Sequence, residues 1–359
     1  MKKLSFFFAV ISALISIFSF VGCGAGGSAI DLRYFNTAVH IETHDKPLSD
    51  ATISSVNALL SQLQNEFDEK NSQSVTYKLN SNAENQSFLL SNHGANVFSI
   101  AKECYEFTNG LFDPTIYPIV KLWGFNDYPV SNFIIPTQNQ IDDTLNLVGF
   151  DKVVFEKENL QVKKTQPNTE LAFGGILKGY ASEKVMQILK DAGHTSGYVN
   201  IGGSSLNLLS VSSLAIRHPR ANGNLQNIIS INTKNLSFVS VSTSGDYERY
   251  YVSDGKLYSH LISPIDGKPT SSGITSATLI CDDGAFADAV TTAICLLDHN
   301  AENTDLSPLV SFLHKVINRY QGAQIYVVYE NDGIKQIISN KVQGEDFTLL
   351  DTTYAVVKI

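Results

Sequence analysis

A chain of 359 residues with 26 Lys+Arg against 35 Asp+Glu has a formal net charge of −9 and no basic run, which argues against a nucleic-acid partner. Of its four cysteines, Cys104, Cys281 and Cys295 are too scattered for a disulfide framework or a zinc site, and the last two sit in apolar surroundings that suit core thiols. No apolar run beyond the first residues approaches the length needed to span a bilayer.

The start is Met1-Lys2-Lys3, an apolar run from Leu4 to Val21, then Gly22-Cys23. A basic start, an apolar stretch and a small residue before a Cys predict a secretory signal of the bacterial lipoprotein type over residues 1–22. Cys23 is then the lipidated residue, and residues 23–30, which include the run GAGGS, form a flexible tether. The domain of 31–359 is thereby expected to be exported and held at the bacterial membrane by lipid. That leaves about 330 residues, enough for a large core.

Leu32 to Glu42 reads as an early strand, and Ser49 through Phe67 as an amphipathic helix with a Ser or Asp cap. A polar connection, 68–74, precedes Val75 to Asn80; Phe88 through Phe107 reads as a second helix stopped at Asn109-Gly110. The stretch Gly110 to Phe125 holds two prolines and the chain's single Trp, and predicts a fixed, partly buried turn segment. Packing accounts for Trp123 and Phe125. Asp113, before a proline, is harder to explain that way. Ile134 to Val148 leads into a helix, and Val153–Phe155 with Leu160–Val162 suggests a hairpin.

From Glu170 the chain reads as a strand, the pair Gly174-Gly175, and a helix running to about Ala192 with Lys178 in its first turn, stopped by Gly193. Free N–H groups at a helix start suit a phosphate, though the Walker A spacing is absent. Close helix packing explains the glycines equally well. Gly197 to Gly203 is a strand ending in paired glycines, Ala215 to Arg220 a strand leading to a turn, with further strands through Ile231 and Val241. Leu306 through Tyr320 is a helix; Ala323–Tyr329, Ile334–Ile338 and Tyr354–Val357 are closing strands. The mixed order of elements predicts an α+β fold.

Between Ser242 and Thr292 lie the residues that look chemical. Ser244-Gly245-Asp246-Tyr247 is a small-residue turn between a β-branched run and a tyrosine-rich strand, where a backbone can approach a ligand. Asp288 and Thr292, four apart in an Ala-rich helical segment, present a carboxylate and a hydroxyl on one face, which suits Mg2+. Spacing alone favours the plainer reading of an Asp near a helix start and a solvent-facing Thr. His260, a lone histidine, stands between a strand and the turn Pro264-Ile265-Asp266-Gly267.

Seven segments, LFDPTIYPIVKLWGF, FGGILKGYA, YVNIGG, IRHPR, VSTSGDYERYY, YSHLISPIDGKP and FADAVTTAI, occur in this order. Together they resemble the ApbE family of FAD:protein FMN transferases from about residue 35 onward. The resemblance implies a single ApbE-like domain of mixed, largely antiparallel sheets packed with helices. It implies Mg2+-dependent cleavage of the FAD pyrophosphate, transfer of FMN through a phosphoester to a Thr or Ser of an exported or membrane acceptor protein, and release of AMP. Carried over by motif, the metal ligands are the side chains of Asp288 and Thr292 with the backbone carbonyl of Ala181, and Thr291 in addition. Phe35, Leu111, Phe112, Asp113, Lys178, Lys184, Ser244, Gly245, Asp246 and Ile262 fall at the flavin nucleotide, and His260 looks like the base for the acceptor hydroxyl.

The chain departs from the family pattern on the flavin side. Phe35-Asn36-Thr37 stands where Met-Gly-Thr is usual, Lys70 where an aromatic often follows, and Ala172 where an acidic residue often precedes the helix. Two other functions share these features: an FAD pyrophosphatase, with water as nucleophile, and a flavin-binding lipoprotein without turnover. Asp288, Thr292 and His260 weigh against the binder, which needs neither a metal pair nor a base. Ser272 to Thr278 faintly resembles an acceptor context for self-modification at Thr278; a Thr-rich strand is the favoured reading.

Overall fold

The structure, a computed structural model, describes residues 26–81, 84–211, 213–222, 225–233, 236, 238–297 and 305–359. The signal of 1–22 and Cys23 lie outside them.

A nine-stranded sheet organises the chain. Its order is Ser28–Tyr34, Thr37–Thr43, Gly197–Ile201, Ser205–Leu209, Phe238–Gly245, Ile274–Cys281, Gln324–Asn331, Ile334–Ser339 and Ala355–Lys358. Neighbours are antiparallel except the last pair, which is parallel. Ile274–Cys281 is buried at every position, as a strand covered on both faces must be. Alternate side chains serve two different cores. Ala277 and Leu279 join Val39 and Ile41 against the helices Leu177–Asp191 and Gly284–Leu296. Ile280 and Val241 face the opposite way, onto Ile216, Ile229 and Ile231 of a three-stranded sheet formed by Phe347–Leu349, Leu225–Ile231 and Leu214–Asn222. A third apolar cluster gathers Ile119, Trp123, Phe125, Ile141, Val148 and Ile262 beneath the hairpin Tyr250–Ser253/Lys256–Ser259. The fold is thus mixed α+β with largely antiparallel sheets, as expected.

Local signals placed most elements. Ser49 caps the helix Asp50–Phe67 by accepting from the Thr52 amide, and the hairpin Val153–Glu156/Gln161–Lys164 forms where alternation predicted it. Several expectations need correction. Leu32 to Glu42 is two strands rather than one, reversed at Phe35-Asn36, whose φ values of 54° and 56° make a two-residue hairpin turn without a glycine to announce it. Ser28 to Ile30, read as tether, pair with Thr43 to Ile41, so the first strand begins inside the expected linker. The second helix begins only at Asn92, capped by Ser91; Phe88–Leu89 is instead a short strand beside Gln161–Val162. Val75–Ser81, whose type the sequence leaves open, is helical, and Tyr117–Leu122 is a one-turn-and-a-half helix with Pro118 in its first turn, not merely a turn. The strand from Leu214 continues to Asn222 past the expected turn. Among the described residues no helix is long and apolar enough to cross a membrane.

Candidate active site

The site is built on a helix crossing that only glycine permits. A Cβ on Gly179 would lie 2.0 Å from the carbonyl oxygen of Gly284 and 2.8 Å from Cβ of Asp288; one on Gly284 would lie 2.5 Å from the carbonyl oxygen of Gly179. The helices Leu177–Asp191 and Gly284–Leu296 therefore touch backbone to backbone. Glu183 Oε2 accepts from the Gly284 amide at 2.9 Å and fixes the second helix start against the first.

This crossing carries Asp288 inward. Its side chain is buried, Oδ2 accepts from the Gly179 amide at 3.1 Å, and Oδ1 accepts from Ser242 Oγ at 3.1 Å. The Gly179 N–H is in the first helical turn, where no carbonyl of the helix can satisfy it and the positive dipole end favours an anion. The anion is here the protein's own carboxylate. Lys178 Nζ lies 3.6 Å from Asp288 Oδ2 and donates to the Gly174 carbonyl at 2.6 Å. One turn beyond Asp288, Ser244 Oγ is 3.0 Å from Thr291 Oγ1 and 3.3 Å from Thr292 Oγ1. Gly175 meets both Thr292 and Phe112: a Cβ there would stand 3.7 Å from Thr292 Oγ1 and 3.3 Å from the Phe112 ring.

The donors so collected are a carboxylate, four hydroxyls and a backbone carbonyl, all hard oxygens, which fits Mg2+ rather than a thiophilic metal. Among the described residues no group of three or more His, Cys, Asp or Glu could hold a metal ion, so a cation at Asp288 would complete its shell from phosphate and water. Ala181, expected to lend its carbonyl, is fully buried within the helix, and the Lys178 ammonium beside Asp288 also holds the Gly174 carbonyl.

His260 follows the strand Lys256–Ser259 and is half-buried. Its ring Nδ1 lies 3.2 Å from the Arg249 carbonyl. A carbonyl only accepts, so Nδ1 carries the proton and Nε2 the lone pair. Burial pushes the imidazole pKa down to about 3, with the positive charge of Arg249 next and that of Lys178 adding to it. The ring is therefore neutral near pH 7, with Nε2 unprotonated. Glu248, which feels Arg217, Lys178 and Arg249, is pushed the other way by burial, above the usual carboxylate range.

Other expected residues are distributed unevenly. The Phe35 turn borders the site through Thr37 and Lys178, both of which pack against Gly202, and the Phe35 amide is held by Gln64 Oε1 at 2.8 Å. Phe112 lies at the site and Leu111 is buried beside it in the chain. Asp113 is engaged within its own turn: Oδ1 accepts from the Thr115 amide at 2.8 Å and from Thr115 Oγ1 at 2.7 Å, and burial raises its carboxyl pKa. Gly245 leaves room for Tyr247, whose ring a Cβ would meet at 2.3 Å. Asp246 makes a two-pronged pair with Arg220, at 2.7 and 2.6 Å. Ile262 packs inside the Trp123 cluster. Lys184 is six residues past Lys178 and so on another face; it pairs with Glu183 at 2.8 Å and lies over the Tyr180 ring. Thr278 is fully buried, its hydroxyl 2.8 Å from that of Thr243, as a plain strand residue.

Sequence reasoning missed Gly179 and Gly284 as a crossing point, and Ser242 and Gly174 as partners of the Asp288 cluster. Only the two glycines leave a trace, each at a predicted helix start, and that trace does not say which helix meets which.

The sequence profile of the ApbE family matches residues 35–306. The FAD:protein FMN transferase of Escherichia coli K12 is 29% identical over 244 residues, 65% of this chain and 64% of that protein, so the chain spans just under two thirds of its length. The FAD:protein FMN transferase of Vibrio cholerae is 26% identical over 300 residues, covering 79% of this chain and 86% of that one. The crystal structure of the ApbE protein of Thermotoga maritima superimposes with a TM-score of 0.72 at 25% identity, over 85% of this chain and 97% of that one.

Proposed function

This chain belongs to the ApbE family, and from that premise we propose that it is a Mg2+-dependent FAD:protein FMN transferase. In the proposed reaction an acceptor Thr or Ser hydroxyl attacks the phosphorus on the FMN side of the FAD pyrophosphate. The hydroxyl proton passes to Nε2 of His260, a phosphoester forms, and the pyrophosphate bond breaks to release AMP.

The observation that carries this reading is the glycine-clamped cluster of Asp288, Thr292, Thr291 and Ser244 beside Lys178, with a neutral His260 close enough to feel the same ammonium. Asp288 and Thr292 would hold the metal, with Thr291 and the backbone carbonyl of Ala181 as further oxygens. Bound there, Mg2+ would supply positive charge against the charge that develops on the breaking pyrophosphate. Lys178 binds and orients the same phosphates. Phe112 and the Phe35 turn bound the space on the flavin side. His260 accepts the proton that the high pKa of an alcohol otherwise retains.

Export belongs to the same proposal. The basic start, the apolar run and Gly22-Cys23 support a signal over 1–22 and lipid on Cys23, which would place the following domain beside membrane acceptors.

The test combines the purified protein, FAD and a small acceptor domain bearing a threonine, with and without Mg2+. Mg2+-dependent AMP and an FMN-sized gain in acceptor mass are expected, both lost in Asp288→Ala. Bound FAD with no AMP under any condition would sink the proposal in favour of a flavin-binding lipoprotein.

A further inference from the structure

The Lys178 side chain lies where a helix-start lysine has least reason to be. The first turn of a helix repels a cation, and a lysine stem normally carries its ammonium outward to water. Here the side chain is 23% exposed and folds back, donating to the Gly174 carbonyl at 2.6 Å and approaching Asp288 Oδ2 to 3.6 Å. Both oxygens belong to the cluster that suits a hard cation.

Taking that cluster as the metal site, we propose that Lys178 is its resident cation in the free protein: the ammonium neutralises Asp288 until FAD offers its pyrophosphate as a better partner, and only then is the site open to the metal.

Three observations make the exchange a consequence of the geometry. Asp288 is buried, with a side chain 4% exposed, and a buried carboxylate needs a counter-charge. Among the described residues the ion pair that answers it is the one with Lys178. Its other partners, the Gly179 amide and the Ser242 hydroxyl, are neutral, so they orient the carboxylate without balancing it. A divalent ion on Asp288 would therefore stand against an ammonium already seated, and like charges that close oppose each other. Lysine is suited to leave: its charge is a compact point on a flexible stem, and a pyrophosphate accepts such a donor readily. Removing the ammonium by mutation should then open the site without FAD.

The experiment measures Mg2+ binding by titration calorimetry in the absence of nucleotide, together with melting temperature with and without Mg2+, for the wild type, Lys178→Met, Lys178→Arg and Asp288→Asn. Lys178→Met is expected to bind Mg2+ about tenfold more tightly than the wild type, a coupling of ordinary size. It should also melt lower than wild type without the ion and recover when the ion is added. Lys178→Arg, which keeps the charge, should bind as weakly as the wild type, and Asp288→Asn should not bind at this site. If Lys178→Met does not fold, Lys178→Gln removes the charge while retaining a donor for Gly174, and carries the same expectation. Equal or weaker Mg2+ affinity in the folded neutral variant, or undiminished binding in Asp288→Asn, overturns the proposal. Tight Mg2+ binding by Lys178→Met, alongside a wild-type protein that never transfers FMN, would instead uphold Lys178 as the resident cation and remove the transferase reading.

Discussion

The two sides of the site are built on different principles. Asp288 lies against the main core, where Gly179 and Gly284 bring two helices into backbone contact and the Gly179 amide and Ser242 hydroxyl orient the carboxylate. His260 lies at the end of a two-stranded hairpin over a small aromatic cluster, positioned by the Arg249 carbonyl and by Phe125, whose ring centroid is 6.4 Å away. The difference fits the chemistry proposed for each. A site that must concentrate charge on a pyrophosphate gains from burial, because fixed dipoles act more strongly where water is excluded. A base that must meet the side chain of another protein has to stay reachable. The core side should therefore be intolerant of change in both stability and activity, while the hairpin side should lose activity alone.

The sharpest test of the contrast is Asp288→Ala. AMP release is expected to fall by on the order of 10³-fold, since the substitution would remove the proposed metal ligand and leave Lys178 without its counter-charge. Quenched-flow or coupled AMP assays read this directly. Next comes Gly179→Ala, whose added methyl would collide with the Gly284 carbonyl; about 3 kcal/mol of stability should be lost, visible as a lowered denaturation midpoint. A melt unchanged by that methyl would show that the helices can separate, and the core side would no longer be the rigid one.

On the hairpin side, His260→Gln should slow FMN transfer by about 10²-fold at neutral pH while leaving the melting temperature near wild type. The sign of its pH dependence is set by the depressed pKa. Between about 3 and the ordinary histidine range the unfolded chain holds a proton that the folded protein does not, so His260 favours unfolding as pH falls through that window. Acidification from pH 7 to pH 5 should thus lower the wild-type melting temperature more than that of His260→Gln. An equal slope in both proteins would mean that burial does not hold the ring neutral. The smallest effect is expected at Asp246. Its carboxylate is taken up by Arg220, so Asp246→Asn should cost about 1 kcal/mol and leave FAD affinity, measured by flavin fluorescence, unchanged. A clear loss of FAD affinity would place Asp246 in the flavin pocket, as motif resemblance implies.

What the sequence determined by itself is local. Ser49 before an apolar period, Asn109-Gly110 after one, and alternation around Val153 and Gln161 specify helices, stops and hairpins through contacts a few residues apart. The ordered motifs likewise singled out Asp288, Thr292 and His260. The turn at Phe35-Asn36 escaped because two left-handed residues without glycine interrupt no alternation. The partners of the site residues were decided only in three dimensions. Gly179 and Asp288 are 109 positions apart, and nothing in either segment says that one helix start will donate to the other's carboxylate. The same holds for Asp246, which a turn motif offers to a ligand and tertiary packing hands to Arg220. Period and capping are properties of a segment, whereas counter-charge belongs to whatever segment the fold brings opposite.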